Sequence, residues 1–426
     1  MRDSQKQAWR STATALRHSP GLARLTAVRF AGQFGDGLFQ AALGGAILFN
    51  PERHTNPVDI AVGFAVLLLP YSVIGPFAGA LLDRWDRRLV LVWANAVRGV
   101  LVASAAAVLL VGGPQLPLML LALAAVGVSR FVLAGVSASL PHVTRQSWLV
   151  PVNSVLATAG SVVAAAGAAV AVATIGVVGA GDTGSGIAVA VGVTGSIVGA
   201  AAAAGFPRNA LGPDGARLRS PARAVLAGLR TGAGAVAENP GVAAALLGIG
   251  AHRIVFGLNT LITLLVLRNA DNPSDLPGGL AGFGAAVACT AAGMLLAAAL
   301  TPFLLPRLGR PRAVTAGLLA AAVVQFAFVT SLTTGSLLIA AFLLGVAGQT
   351  IKLTGDAAMQ IEIDDARRGQ VFALQDTVFN LAFLAAIAAS AFLIAPDGRS
   401  PGLAVAGGLI YVLALAGVLA LGRSRT

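Results

Sequence analysis

Several ionisable side chains lie inside long apolar stretches of this 426-residue chain, where a charge needs a specific reason. A charged side chain at the centre of a bilayer costs about 2.5–3.5 kcal/mol on insertion scales, so such residues usually pair or face a cavity. Groups of this kind can move a proton or hold an anion. Five of them are our candidates for lining a central cavity: Asp36, Arg98, Arg130, His252 and Arg253.

Asp36 is the candidate for proton exchange, and it shares its apolar stretch with Arg29 and Gln33. Burial favours the neutral acid, whereas a nearby arginine favours the carboxylate, so a change in surroundings would change its proton occupancy. The alternative is a fixed ion pair with Arg98 or Arg130, which would stabilise packing without titrating. The residues alone leave both interpretations open.

Positive groups outnumber Asp36 in this central layer. Arg98 lies within the third apolar stretch, and His252 and Arg253 lie within the seventh. This excess indicates a substrate with an anionic or acidic group. Adjacent residues on a helix point to different faces, so we expect only one of His252 and Arg253 to line the cavity.

The elements that position these residues are predicted to be transmembrane helices. Hydrophobic residues make up 57% of the chain and charged residues 11%, and the mean hydropathy is +0.83. A soluble core does not bury that much apolar surface, and about 20 apolar residues are needed to cross the hydrocarbon as a helix. Twelve spans are predicted: 26–49, 58–82, 89–112, 116–140, 149–180, 184–206, 241–267, 279–305, 313–331, 336–359, 371–395 and 401–422.

Lysine and arginine are distributed unevenly between the loops. Of 29 in total, 21 lie in the N-terminal tail, the even-numbered loops and the C-terminus, whereas the odd-numbered loops hold only Arg53, Arg268 and Arg399. The positive-inside rule therefore predicts that both termini lie in the cytoplasm. We expect a multi-pass protein of the cytoplasmic (inner) membrane of a bacterium. The net charge of +12 is explained by this topology, and no nucleic-acid partner is expected.

An internal repeat accompanies the hydropathy pattern. Adding 223 to the residue number aligns Arg145 with Arg368 and Asp36 with Asn259. A duplicated six-helix unit is typical of transporters, in which two similar halves move about a site. The predicted organisation is a cytoplasmic tail (1–25), a first six-helix bundle (26–206), a cytoplasmic linker with an interfacial helix (207–240) and a second six-helix bundle (241–426).

The strongest local motif stands at the cytoplasmic end of the second predicted span. It reads Gly79-x-x-x-Asp83-Arg84-x-Asp86-Arg87-Arg88. It resembles the signature between helices two and three of the major facilitator superfamily. The resemblance implies an all-α membrane protein with the major facilitator fold, twelve transmembrane helices in two pseudo-symmetric six-helix bundles.

By the same resemblance, Gly79 allows close helix contact, and Asp83 with Arg84 and the following arginines forms a cytoplasmic gate. The family usually has glycine where Asp86 stands, so we expect Asp86 to pair with Arg88. The competing interpretation is that the arginines only set topology.

A second stretch resembles the loop that enters helix eleven in bacterial efflux members of this superfamily, including enterobactin exporters and multidrug-efflux proteins. It runs from Asp364 to Asn380 and places Arg367, Arg368 and Asp376 in the predicted gate. Arg130, followed by Gly135, is similar to the family's Arg-x-x-x-Gly motif with one extra residue. Lys352 and Asp356 are spaced i,i+4 and are expected to pair with each other.

No enzymatic site is predicted. The chain contains no phosphate-binding Walker loop, so its energy is expected to come from an ion gradient. Its single cysteine, Cys289, and the scattered histidines form neither a metal-spaced set nor a nucleophile arrangement. We expect no cofactor, no resident metal and no catalytic residue.

The predicted function is secondary active transport by alternating access. The protein is expected to be a monomer that exports a small amphipathic compound or metabolite in exchange for protons. Two alternatives remain. One is an importer or divalent-metal exporter of the same fold, in which Asp36 and His252 would bind the metal. The other is a membrane scaffold or receptor that does not transport.

Overall fold

The computed structural model describes residues 19–49, 57–66, 82, 85–145, 148–212, 221–269 and 279–423. The regular secondary structure in these ranges is helical. A π-helical turn, Gly45–Phe49, extends the first helix. The helices are α1 Pro20–Gly44, α2 Pro57–Val66, α3 Arg87–Leu110, α4 Gln115–Ser139, α5 Leu149–Val178, α6 Asp182–Ala204, α7 Pro221–Ala237, α8 Pro240–Arg268, α9 Gly279–Leu308, α10 Arg310–Ala327, α11 Thr334–Glu362, α12 Asp365–Ala391 and α13 Pro401–Arg423.

Within the described residues, ten helices are long and apolar enough to cross a membrane, namely α3–α6 and α8–α13. The all-helical membrane architecture is therefore confirmed. Helix α1 is not in that set, and it carries Arg29, Gln33 and Asp36. The predicted second span, 58–82, is described only at residues 57–66 and 82, so the count of twelve stays a prediction.

The turn between α5 and α6 lies close to the predicted boundary between the spans 149–180 and 184–206. Helix α5 ends at Val178 and α6 begins at Asp182. Gly179 and Gly181 have φ angles of 123° and 155°. Side chains with a Cβ rarely adopt these angles, so glycine at both positions allows the chain to reverse within three residues.

The chain divides into two compact units. Unit 1 comprises Met1–His54 and Val66–Ala222, and unit 2 comprises Thr55–Ala65 and Arg223–Thr426. In unit 1, α1 packs against α5 and α6, and α3 packs against α4 and α6. In unit 2, α8 packs against α12 and α13, and α10 packs against α11 and α13. When the predicted spans are numbered from one to six in each half, starting at 26–49 and at 241–267, the same pairs pack together in both units. These pairs are one with five, one with six, three with four, and three with six.

Helix α7 occupies the linker in which an interfacial helix was predicted. It packs on α12 so closely that a Cβ at Gly232 would lie 2.7 Å from the carbonyl oxygen of Gln370. Its end contributes Ala235 to a buried cluster with residues of α8, α11 and α12, whereas Leu226 and Arg230 are exposed. The helix therefore packs its small-residue face against the rest of unit 2, and it exposes basic and apolar side chains on another face.

Candidate functional site

Asp36 lies in a buried polar cluster of unit 1. Its carboxylate Oδ1 is 2.8 Å from Nη2 of Arg98, and the side chains are 18% and 2% exposed, respectively. The hydroxyl of Ser129 donates a hydrogen bond of 2.6 Å to the same oxygen. Helices α1, α3 and α4 thus each contribute one group, so the charge of Asp36 is both balanced and hydrogen-bonded.

Arg98 extends this cluster to α6 and back to α1. Its Nη1 donates to the hydroxyl of Ser196 at 3.0 Å, and its Nη2 is 3.4 Å from the carbonyl oxygen of Gly32. Its Nε is buried without an acceptor among the described residues. Because Arg98 is held on several sides, it is the fixed member of the pair, and the more exposed Asp36 is the accessible one.

Of the two arginines considered as partners of Asp36, Arg98 forms the ion pair that the structure shows. Arg130 is half-buried on α4, directly after Ser129. The two serines of the cluster were missed by the sequence analysis because serine is common in apolar helices. Which serines reach Asp36 and Arg98 depends on how each helix is rotated about its own axis.

Unit 2 contains a neutral counterpart of this cluster. The amide of Asn259, which the 223-residue repeat aligns with Asp36, forms two hydrogen bonds with the amide of Gln325, at 2.7 and 3.0 Å. Gln325 also donates to the carbonyl oxygen of Ala404 at 3.1 Å. Gln325 lies one helical turn beyond the repeat position of Arg98. A polar pair thus joins the first and third predicted spans of each half, but only unit 1 has charges there.

Replacing Gln325 with leucine is expected to lower the free energy of unfolding by about 1–3 kcal/mol. The buried amide of Asn259 would lose both hydrogen bonds, and the desolvation of an unpaired buried group is of this size. Thermal unfolding of the detergent-purified protein measures the effect. A double variant, Asn259→Leu with Gln325→Leu, removes both amides and should recover part of the loss. A single variant as stable as the wild type would contradict this account of the pair.

His252 and Arg253 point to different neighbours in unit 2, as expected for adjacent helical residues. Nδ1 of His252 is 2.8 Å from the hydroxyl of the fully buried Tyr411 on α13. Arg253 instead lies among aromatic rings, and its Nε is 3.3 Å from the carbonyl oxygen of Phe379. The guanidinium carbon is 3.6, 4.8 and 5.1 Å from the ring centroids of Phe379, Phe383 and Phe256.

Three aromatic faces stabilise this cation without neutralising it. Among the described residues no carboxylate forms an ion pair with Arg253. Within the described part of the chain the guanidinium thus has aromatic neighbours and no acidic partner, a surrounding expected of a group that attracts an anion.

The predicted gate of unit 1 is described in part, because Gly79, Asp83 and Arg84 lie outside the described residues. Arg87 is buried, and it donates to the carbonyl oxygens of Leu82 at 3.1 Å, Ala138 at 2.9 Å and Leu211 at 3.3 Å. It thereby satisfies backbone acceptors at the end of α4 and in the segment after α6, groups that helix termini leave unpaired.

Asp86 caps α3. Its Oδ1 accepts the backbone N–H of Arg88 at 3.0 Å, and its Oδ2 accepts the backbone N–H of Asn209 at 3.3 Å. The expected pairing with Arg88 therefore occurs at the backbone and not at the guanidinium, which donates to the carbonyl oxygen of Ala204 at 3.0 Å. Aspartate is among the preferred residues at a helix N-cap, which explains its presence where the family usually has glycine.

Replacing Arg87 with alanine is expected to destabilise the protein by about 1.5–3 kcal/mol, the range for hydrogen bonds that involve a charged group. The carbonyl groups of Ala138 and Leu211 would lose their donor. Arg88→Ala is the matched control, since the guanidinium of the half-buried Arg88 has one such bond among the described residues and its loss should cost less. The melting temperatures of both variants in detergent test the difference. An equal effect of the two substitutions would argue against the role of Arg87.

The gate residues predicted in unit 2 lie at the start of α12. Arg367 forms ion pairs with Glu238 at 2.7 Å and Asp364 at 3.1 Å, and so joins the end of α7 to α12. Arg368 donates to the carbonyl oxygen of Ile363 at 3.1 Å. Both arginines therefore stabilise the start of α12 through contacts within unit 2.

A further polar cluster joins α11 to α12. The predicted pair of Lys352 and Asp356 is confirmed at 2.6 Å, and the amide of Gln375 donates to Asp356 at 2.9 Å. Asp376, which follows Gln375, lies within electrostatic range of both charges. One lysine and two carboxylates thus lie near one another in this part of unit 2, and Asp356 is the carboxylate that pairs with the lysine.

The sequence pattern of the Major Facilitator Superfamily matches residues 29–387. The chain belongs to the major facilitator superfamily. Two uncharacterized MFS-type transporters, one from Mycobacterium tuberculosis and one from Mycobacterium bovis, are each 44% identical to it over 411 residues, which is 96% of this chain and 91% of each relative. The chain is thus similar along most of its length to transporters of this superfamily.

Solved structures show the same fold. The nucleoside transporter NupG has a TM-score of 0.68 at 14% identity, covering 94% of this chain and 99% of that one. The peptide transporter POT in complex with sulfate has a TM-score of 0.65 at 17% identity, covering 95% and 94%. At these identities the likeness extends to the major facilitator fold and not to a substrate.

No group of three or more metal-ligating side chains occurs in the described part of this superfamily member. The two residues considered for metal binding have other partners, because Asp36 pairs with Arg98 and His252 contacts Tyr411. The described geometry therefore supplies an ion pair and an aromatic-caged cation as its central features.

Proposed function

We propose that this major facilitator is a secondary transporter that works by alternating access and exports a small amphipathic compound or metabolite in exchange for protons. The observation that carries the proposal is the buried ion pair of Asp36 and Arg98, which is enclosed by Ser129 and Ser196 among the helices of unit 1. Burying a carboxylate among membrane-spanning helices costs free energy, and a role in proton exchange would account for its presence.

Exchange requires that the substrate and the proton exclude each other at one group. An ionised Asp36 accepts hydrogen bonds, as it does from Ser129. A hydroxyl or amino group of a substrate can replace that donor, whereas a proton on the carboxylate removes one acceptor site and the charge. Substrate binding therefore favours the ionised acid, and protonation from the outside favours substrate release.

An anionic group on the substrate is supported by Arg253. Its guanidinium packs against three phenylalanine rings, which stabilise the positive charge without neutralising it. The guanidinium can therefore still attract an anion. A compound with a hydrogen-bond donor, an apolar body and an acidic group offers a group that each of these two sites, taken by itself, can bind. This is the substrate class that we propose.

The topology is also a proposal. We place the chain in a bacterial inner membrane as a monomer with both termini in the cytoplasm, supported by the distribution of lysine and arginine. Helix α1 and the segment 58–82 add two spans to the ten apolar helices. The boundaries proposed are 1–25, 26–206, 207–240 and 241–426. The gate roles of Asp83, Arg84, Arg368 and Asp376 stay predictions.

The test uses proteoliposomes loaded with a panel of amphipathic dyes, including the anionic dye anilinonaphthalene sulfonate. Dye efflux is followed with and without an acidic outer buffer, and a protonophore collapses the gradient. We expect the gradient to accelerate efflux of at least one dye and the protonophore to abolish the acceleration. An efflux rate that is independent of the pH gradient for every transported dye would contradict proton exchange.

A further inference from the structure

A cavity of about 760 Å³ opens in unit 1 beside the start of α1. It is bounded by the ends of α1 and α6 and by the segment from the end of α4 to the start of α5. The hydroxyl of Ser19 donates to the carbonyl oxygen of Val143 at 2.8 Å, and Nη1 of Arg24 donates to that of Gly205 at 2.8 Å. These bonds join the walls of the cavity.

The lining of this cavity is basic and aromatic. Arg24, His142 and Arg145 are exposed there, and the guanidinium carbon of Arg145 is 5.6 Å from the centroid of the Trp148 ring. No aspartate or glutamate is among the described residues of the lining. Phe206 adds a buried apolar wall beside these charges.

The repeat-related region of unit 2 differs from this cavity in its balance of basic and acidic side chains. The 223-residue offset aligns Arg145 with Arg368 of unit 2, where Glu238 pairs with the neighbouring Arg367 and α7 covers the surface. In unit 1 the same offset places Thr144 where unit 2 has Arg367, and the described lining of the open cavity there contains arginine and histidine but no aspartate or glutamate. This basic lining would attract an anion from outside the chain.

We propose that this cavity binds the phosphate of an anionic phospholipid headgroup. The inference rests on the proposed orientation, which places these helix ends at the inner leaflet, and it is independent of substrate and coupling. Arginines pair strongly with phosphate, and basic pockets between transmembrane helices on the cytoplasmic side bind anionic headgroups. The Trp148 ring suits the membrane interface, where an amphipathic side chain is favoured.

The N-terminal segment, residues 1–18, is the competing occupant. It carries Arg2, Lys6, Arg10 and Arg17 against a single acid, Asp3. Its charge has the same sign as the lining of the cavity, so a phosphate is the better match.

Native mass spectrometry of the full-length protein in detergent tests this proposal, with phosphatidylglycerol and phosphatidylcholine titrated separately. We expect Arg24→Gln combined with Arg145→Gln to bind phosphatidylglycerol about 10- to 30-fold more weakly, since each basic residue near the membrane surface contributes about a factor of five. Phosphatidylcholine binding should not change. Arg312→Gln, at an exposed arginine of unit 2 outside the cavity, is the control and should leave both affinities unchanged.

A second variant pair separates binding from folding. Arg24→Lys with Arg145→Lys keeps the charge and should bind phosphatidylglycerol within a few-fold of the wild type. Equal phosphatidylglycerol affinity in the glutamine variant and the wild type would overturn the proposal. It would also be overturned if inorganic phosphate bound with the same arginine dependence and phosphatidylglycerol did not, or if deletion of residues 1–18 raised the lipid affinity tenfold or more.

Discussion

Replacement of Arg98 by alanine is expected to lower the free energy of unfolding by about 3–5 kcal/mol, the range for a buried ion pair that loses one partner. The whole Arg98 residue is 1% exposed, and its guanidinium balances the charge of Asp36 and donates a hydrogen bond to Ser196. Its removal leaves a largely buried carboxylate with Ser129 as its remaining described donor. Thermal unfolding in detergent should show a large fall in melting temperature.

Two further variants separate the loss of a partner from the loss of volume. Asp36→Leu with Arg98→Met removes both charges, and it should recover most of the stability, because apolar replacements of buried ion pairs are often neutral or stabilising. Arg312→Ala removes an exposed arginine and should change stability by less than about 0.5 kcal/mol. Arg98→Ala with a wild-type melting temperature would show that the pair does not stabilise unit 1.

Asp36→Asn is expected to abolish transport driven by a pH gradient. Asparagine preserves the shape of the side chain and still accepts a hydrogen bond from Ser129, but it does not exchange a proton. One pH unit is equivalent to 1.36 kcal/mol, a factor of ten, so a gradient of two units drives up to about a 100-fold substrate gradient through one proton. The variant should lose this entire enhancement.

Exchange of labelled for unlabelled substrate without a pH gradient is the companion measurement. It needs no net proton movement, so Asp36→Asn should retain exchange within a few-fold. Asp397→Asn, at an exposed carboxylate outside the cluster, is the matched control and should keep the gradient response. A full gradient response by Asp36→Asn would assign coupling to another group and leave Asp36 as the fixed ion pair.

Local signals in the sequence predicted some features closely. The i,i+4 spacing of Lys352 and Asp356 fixes their contact, because one helical turn brings the side chains together wherever the helix lies. The turn at Gly179 and Gly181 follows from backbone conformations that glycine tolerates. Such features depend on only a few neighbouring residues.

Features that depend on helix rotation were not predictable from the sequence. The sequence offered Arg98 and Arg130 equally as partners for Asp36, and the choice depends on which face α3 turns toward α1. Gln325 was missed because it lies one turn away from the repeat position of Arg98, so the strict offset passed over it. The N-cap role of Asp86 was missed because the family signature directed attention to the arginines.

Proton movement measured alongside substrate movement tests the central claim most directly. Wild-type protein in proteoliposomes that contain a trapped pH-sensitive dye should acidify the lumen as a transported amphipathic dye leaves it. The Asp36→Asn variant should export without this acidification. Efflux by the wild type with no accompanying pH change, or equal acidification by Asp36→Asn, would contradict the assignment of Asp36 as the group that exchanges substrate for a proton.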